Sequence, residues 1–343
     1  MSKPVRSFHS HSTALFALAL AVLLGASGCG NNNNNSGGGS SGNANSGGPT
    51  PAGGKPKIAL IMKSLANEFF MTMENGAKTH NKEHAAEYDL LANGTKDETD
   101  VARQIDLVEQ MIAQRVDAIV IAPADSKALV AVCKKAMDAG VIVVNIDNKF
   151  DDDVLKDKAV KIPFVGPDNR KGARLVGDLL VKRLKKADKV IVLEGAPNSF
   201  NAAQRKLGFE DSLKAGGIEI VSSQSGFWET DKANQLAAAM IAEHPDVKAA
   251  VCSNDSMALG AVAALRAAGK SEQVLVIGYD NISAVQGLLK EGKMLATADQ
   301  HADRLAVFGI EYALQMIAKK GTPSDQETPV DLITAETLGA GRK

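Results

Sequence analysis

Ala118-Ile119-Val120-Ile121-Ala122-Pro123-Ala124-Asp125-Ser126 is a β-branched run stopped by proline, and it is answered by Gly140 followed by Val141-Ile142-Val143-Val144-Asn145-Ile146-Asp147. Between the two lies a helical stretch, Ser126 to Ala139, with Ser126 read as its cap and Gly140 as its stop. Strand, helix, strand in series means parallel strands with the helix laid over a face of the sheet.

The same alternation extends in both directions. Strands are expected at Lys57 to Met62, Tyr88 to Leu91, Val190 to Leu193, Glu219 to Ser222, Ala249 to Cys252 and Val274 to Gly278. Helices are expected at Asp100 to Arg115, Lys171 to Leu184, Ala202 to Lys214, Asp231 to Glu243 and Ser256 to Ala268. In the first of these, Val101, Ile105, Val108 and Ile112 recur at the spacing of one apolar face. Asp100, Asp231 and Ser256 read as caps, and Gly216 and Gly269 as stops. The strands fall into two groups, divided near Pro163-Phe164-Val165-Gly166-Pro167. The fold class is therefore α/β, with two doubly wound parallel-sheet lobes facing one another.

Before this repeat the chain has a different character. Lys3 and Arg6 precede an apolar run from Ala14 to Leu24 that ends at Ala26-Ser27-Gly28-Cys29, the pattern of a secretory signal over residues 1–28. The small residues before Cys29 resemble a bacterial lipobox, which implies that Cys29 carries lipid and that the protein is anchored at the extracytoplasmic face of a membrane. Residues 29–54, rich in Asn, Gly and Ser, form a flexible tether with a reach of roughly 25 to 30 Å.

With 39 Lys and Arg against 40 Asp and Glu, and no basic block, a nucleic-acid partner is excluded. Cys133 and Cys252 could form one disulfide, but two buried thiols are the preferred reading. His80-Asn81-Lys82-Glu83-His84 matches a short metallopeptidase pattern without a third ligand, on a stretch charged like an exposed helix face, so no metal or cofactor is expected. Gly269-Lys270-Ser271 follows a helix and reads as a helix end, not a phosphate loop.

In open parallel sheets a ligand sits off the carboxyl ends of the strands. Those positions hold Lys63, Asn67, Phe69 and Phe70; then Pro123 and Asp125; then Asp147 and Asn148. The second group supplies Asn198 to Arg205, including Asn201, then Trp228, Asn254, Asp280 and Gln300. Planar acceptors and donors suit sugar hydroxyls, and aromatic rings suit sugar C–H faces. Taken singly, several have structural readings: Asp255 as a helix cap, one of Phe69 and Phe70 as core, Tyr279 as packing beneath the cleft, Arg205 as a salt-bridged residue.

Ile58-Ala59-Leu60 with Asn67, Phe69-Phe70 and Gly76-Ala77 resembles the opening of the periplasmic ribose-type sugar-binding proteins, and the resemblance continues through Ala122 to Ser126, Val143 to Asp147, Gly208-Phe209, Asn254 to Gly260 and Gly278-Tyr279-Asp280. It implies a type I periplasmic-binding fold with hinge crossings near Pro167, Gln300 and Asp331, one lobe of residues 55–166 with 301–331 and another of 167–300 with 332–343. It further implies a monomeric ABC-importer binding protein that closes on a monosaccharide and hands it to a membrane permease, without catalysis. Asn67 and Asp147 would be hydrogen-bonders of the first lobe, Phe69, Phe70 and Trp228 stacking rings, and Asn254, Asp280 and Gln300 polar contacts of the second.

Three positions depart from the ribose-specific pattern: Asn148 and Ala203 stand where arginines are found, and Lys63 replaces a small hydroxyl residue. Asn201 and Gln204 are candidates to restore the lost hydrogen bonds, so another pentose or a hexose fits as well as ribose. A sugar-sensing receptor subunit, or a binder of a different small polar ligand, remains as an alternative. A transcription regulator is excluded because the place of a DNA-binding segment is taken by the leader and tether.

Overall fold

A computed structural model describes residues 54–338; the leader, Cys29 and nearly all of the tether lie outside the described residues. In chain order the first half comprises β1 (Lys57–Ser64), α1 (Glu68–Glu83), β2 (Asp89–Thr95), α2 (Val101–Ala113), β3 (Ala118–Ile121), α3 (Val130–Asp138), β4 (Ile142–Ile146), α4 (Asp152–Asp157) and β5 (Phe164–Pro167). There follow α5 (Asn169–Val181), β6 (Lys189–Glu194), α6 (Phe200–Gly216), β7 (Glu219–Ser225), α7 (Thr230–Glu243), β8 (Ala249–Cys252), α8 (Asp255–Ala267), β9 (Leu275–Ile277), α9 (Ser283–Lys290) and β10 (Thr297–Asp299). The chain closes with α10 (Ala302–Ile317), β11 (Gln326–Thr328), β12 (Asp331–Ile333) and α11 (Ala335–Leu338).

The first sheet runs β2-β1-β3-β4-β5-β11 with every pairing parallel. The second runs β7-β6-β8-β9, also parallel. Beside β9, Gly278 N donates to Ala296 O (3.0 Å) and Asp280 N to Ala298 O (2.7 Å), so β10 continues this sheet and carries antiparallel β12 on its far side. Both sheets thus share one strand order, with the chain reversing direction across the sheet between β1 and β3 and between β6 and β8. Such a switch point leaves a crevice at the carboxyl ends of the strands.

Residue alternation explains how the helices cover both faces. Along β1, Ile58, Leu60 and Met62 pack with α1 and α10, while Ala59 and Ile61 pack with α2 and α3. Along β6, Ile191 and Leu193 face α7 and α8, while Val190 and Val192 face α5 and α6. A strand buried on both sides reads as a continuous apolar run, which is why these segments stand out in the sequence.

Several expected boundaries shift for local reasons. Ser126 does not cap α3, which starts at Val130; its hydroxyl accepts from Phe200 N (2.9 Å), and the loop before α3 is turned by Asp125, which accepts from Lys127 N and Ala128 N. Asn254, not Asp255 or Ser256, caps α8 by accepting from Met257 N (2.9 Å). Asp231 lies within α7, which Glu229 precedes, and Gly217 at φ 65° ends α6 in place of Gly216. Asp100 does cap α2. After α8, Gly269 at φ 67° and the bond from Lys270 N to Leu265 O (2.9 Å) make a Schellman stop, the expected helix end.

Cys133 and Cys252 are free and buried. His80 and His84 stack at 4.2 Å, His80 Nδ1 lies 2.9 Å from the Tyr88 hydroxyl, and no His, Cys, Asp or Glu cluster among the described residues could hold a metal.

Close helix crossings rest on glycine. A Cβ on Gly76 of α1 would lie 1.8 Å from the backbone oxygen of Asp303 in α10, and one on Gly260 of α8 would lie 2.3 Å from Thr230 O in α7. Gly287 in α9, by contrast, faces open space. Gly76→Ala is expected to cost about 1–3 kcal/mol despite the better helix propensity of alanine, because backbone must move. Gly287→Ala should stabilise by roughly 0.5–1 kcal/mol. Urea unfolding of both variants checks the contrast, and equal effects would contradict the packing described.

Candidate functional site

Residues at the carboxyl ends of both sheets converge on one small cavity. Its walls are Lys63, Asn67, Phe69, Phe70, Glu98 and Asp147 from the first sheet's side. Asn201, Arg205, Trp228, Asn254, Asp280 and Gln300 complete it from the second.

Each side chain is positioned by a strand end or a helix start. Asn67 caps α1, its Oδ1 accepting from Phe69 N (3.0 Å), which leaves Nδ2 to donate to Glu98 Oε1 (2.8 Å). Asn254 likewise caps α8 while its Nδ2 donates to Trp228 O (3.3 Å). Asp147, Trp228 and Asp280 have φ values of 60°, 69° and 122° in a region that side-chain-bearing residues rarely occupy. Such conformations typically cost of order 1–3 kcal/mol each and persist only where the surroundings hold them. Here Asn148 N donates to Ile146 O (2.7 Å) across Asp147, and Asp280 N donates to Ala298 O (2.7 Å). The indole packs against Gly195, where a Cβ would fall 2.0 Å from the ring.

The charges are arranged as two sets. Lys63 Nζ lies 3.2 Å from Asp147 Oδ2 and 3.8 Å from Glu98 Oε2, and 5.2 Å from the centre of the Phe70 ring. Across the cavity, Arg205 Nη1 lies 3.4 Å from Asp280 Oδ1 and donates to Ser253 O (2.9 Å), while its Nε donates to Asn169 Oδ1 (2.8 Å). The guanidinium sits 3.8 Å over the ring of Tyr279, which packs beneath the cavity and does not line it. Gln300 Nε2 donates to Asp280 Oδ1 (2.7 Å).

Among the residues lining the cavity, two buried acceptors lack a hydrogen bond: Gln300 Oε1, and Asp147 Oδ2, whose approach to Lys63 is an ion pair without hydrogen-bond alignment. Burial pushes Glu98 up to about 7, with Lys63 opposing the shift, and holds Asp280 well above the carboxylate range, with Arg205 opposing. Asp255 is also lifted to about 7 by burial, against hydrogen bonds led by that from Thr297. It lies outside the cavity lining, accepting from Thr297 Oγ1 (2.8 Å) and Ile282 N (3.1 Å).

Asn148, expected at the site, lies outside the cavity lining. Its amide is consumed by Pro123 O (2.9 Å), Ser126 Oγ, Ser199 Oγ and Asn201 N (3.2 Å), so it ties the loops of the two sheets together. Gln204 lines a separate surface cleft with Arg170 and Asp211. Arg205 lines the cavity and is paired with Asp280. Glu98 was missed: Thr95-Lys96-Asp97-Glu98-Thr99 reads as a charged surface loop, and only its buried approach to Lys63 reveals it.

The profile of the periplasmic binding protein domain matches residues 58–321. The D-ribose/D-allose-binding protein of Pseudomonas aeruginosa is 60% identical over 286 residues, spanning 82% of this chain and 89% of that protein. An ABC transporter solute-binding protein from Burkholderia multivorans, solved with an unknown ligand described as alpha-D-erythrofuranose, is 62% identical with a TM-score of 0.80 over 82% of this chain and all of that one. Another from Actinobacillus succinogenes, with bound D-allose, is 35% identical with a TM-score of 0.80 over 84% of this chain and all of that one.

The raised Glu98 carboxyl has a signed consequence for stability. The folded chain keeps a proton that the unfolded chain releases above its ordinary value of 4.5, so this contribution is complete below about 4.5 and lost as pH rises to about 7. Glu98→Gln keeps an acceptor for Asn67 and cannot ionise. Its stability relative to the unsubstituted protein should climb between those pH values, by at most about 3 kcal/mol, and then level off. Urea unfolding across pH 4 to 8 checks this, and a pH-independent difference would contradict it.

Proposed function

The chain belongs to the periplasmic binding protein family, and from that premise we propose that it is the extracytoplasmic binding component of an ABC sugar importer whose ligand is an aldose of the D-ribose and D-allose type. It binds a sugar and does not transform it, in keeping with relatives named as binding proteins. The observation that carries the ligand class is the pair of buried acceptors without hydrogen bonds, Gln300 Oε1 and Asp147 Oδ2, in a cavity that also presents the rings of Phe70 and Trp228. Sugar hydroxyls would supply the missing donors, and a buried acceptor left without one typically costs about 1–3 kcal/mol. D-Ribopyranose and D-allopyranose share the orientation of the hydroxyls at C2, C3 and C4 and differ by a hydroxymethyl group, so one set of polar contacts can serve both.

In this reading the lobes are residues 55–166 with 301–331 and residues 167–300 with 332–343, and the crossings near Pro167, Gln300 and Asp331 are the hinge. Sugar settles between open lobes; closure expels water and strengthens every hydrogen bond around it. Lys63, Asn67, Asp147, Asn201, Arg205, Asn254, Asp280 and Gln300 address the hydroxyls, and Phe69, Phe70 and Trp228 the C–H faces. Asn148 supports the closed form from outside the cavity. No helix among the described residues is long and apolar enough to cross a membrane. Attachment would come from lipid on Cys29, with the 29–54 tether allowing a monomer to reach its permease.

Titrating the protein with D-ribose, D-allose, D-glucose and D-arabinose while following the fluorescence of Trp228, its one tryptophan, tests the proposal. A saturable response to D-ribose or D-allose is expected, with the sugar recovered unchanged. Asp280→Asn should weaken binding roughly 10- to 150-fold. Silence with all four sugars, or an unaltered affinity in the variant, would overturn the assignment.

A further inference from the structure

Helix α9 has no side-chain cap of its own; Ile282 stands at its N-cap position with φ −65° and ψ 153°. Its first free N–H groups are served from the other sheet. Ser283 N donates to Glu68 Oε1 (2.6 Å) and Ala284 N to Glu68 Oε2 (3.4 Å), across a sequence separation of 215 and 216 residues. Glu68 is the first residue of α1, flanked by the cavity residues Asn67 and Phe69, and Ser283 lies three residues beyond Asp280. Glu68 itself does not line the cavity.

We propose that Glu68 is a closure latch, a positioning residue that sets the lifetime of the closed form by capping α9 of the opposite lobe without touching the ligand. The proposal rests on the hinge-closure reading above. A carboxylate on the N–H groups of a helix N-terminus is a charge-assisted contact, favoured further by the helix dipole. The N–H of Ile282 is held by Asp255 (3.1 Å), on the same side as α9, and is independent of closure. Those of Ser283 and Ala284 depend on Glu68, so opening returns both to water and exposes the carboxylate. Of the other contacts joining the lobes, Ser126 N to Asn198 O (3.1 Å) and Phe200 N to Ser126 Oγ (2.9 Å) are neutral hydrogen bonds, while Asn198 Nδ2 to Asp125 Oδ2 (2.8 Å) and the exposed pair Lys171 and Glu327 (3.2 Å) also carry charge but serve no helix N-terminus. The latch therefore acts on release of the ligand and leaves capture by the open form unaffected.

The contact can be broken from either end. Glu68→Ala removes the carboxylate. Ser283→Pro removes the first N–H donor while keeping the helix, because proline suits the first helical position and Ile282 already has the extended conformation that a residue before proline needs. Stopped-flow fluorescence of Trp228 with D-allose should show the release rate raised roughly 3- to 30-fold in each variant, with the association rate within about twofold of the unsubstituted protein. The double variant should release little faster than Glu68→Ala alone, since both changes break one contact. Thermal unfolding without sugar should be nearly unchanged. Small-angle scattering of the unsubstituted protein supplies the separate check on closure: contraction on adding D-allose is expected. Absence of contraction would remove the closure reading and the latch with it. Contraction accompanied by unaltered release in both variants, or by effects that add in the double variant, would overturn the latch alone.

Discussion

Lys63, Glu98, Asp147, Arg205 and Asp280 are all at least 94% buried around one small cavity, and an ionised group taken out of water is tolerated only where partners replace its hydration. The rest of the site follows from that constraint. Lys63 stands between Asp147 and Glu98; Arg205 is held by Asp280, Asn169 and Ser253. Three carboxylates facing two cations leave one excess negative charge if all ionise. Burial raises the carboxyls of Glu98 and Asp280, and a proton on either would remove that excess. Gln300 and Asp147 each keep an acceptor without a hydrogen bond, and these are the atoms to which the proposed sugar would donate.

Holding so many polar groups in place requires a stiff frame. Both sheets use the same strand order, so each presents a switch point, and the crevice between them receives residues from β1, β4, β9 and β10 or their ends. Strained backbone at Asp147, Trp228 and Asp280 aims side chains inward, and glycine at helix crossings lets α1 approach α10 and α8 approach α7 closely. Strain and close packing are connected: a loose frame would let those three residues relax to commoner conformations and turn their side chains out of the cavity.

The alternation of strands and helices was legible because strands buried on both faces are continuous apolar runs. Val143-Val144-Asn145-Ile146 followed by Asp147 is an instance in which strand, end and site residue are visible together. Asn67, Arg205, Asp280 and Gln300 were legible from their places after strands or on the helices that follow them. Glu98 was not, because an acid in Lys96-Asp97-Glu98 is locally identical to one in a solvated loop and becomes special through Lys63 and Asn67, which are distant in sequence. Asn148 lies outside the cavity for the complementary reason: it follows the same strand, but the turn at Asp147 sends successive side chains in different directions, one into the cavity and one into the joining loops. Caps were the least legible feature. Adjacent candidates such as Asn254, Asp255 and Ser256 all suit a helix start, and the choice among them is made by Thr297 and Ile282, which claim Asp255.

Sugar hydroxyls are proposed to complete the cavity, and a crystal structure of the protein with D-allose would show them there or not. One sugar ring is expected between Phe70 and Trp228, with hydroxyls within hydrogen-bond distance of Gln300 Oε1 and Asp147 Oδ2. A sugar bound elsewhere, or one that leaves both of those acceptors to water or to other protein groups, would contradict it.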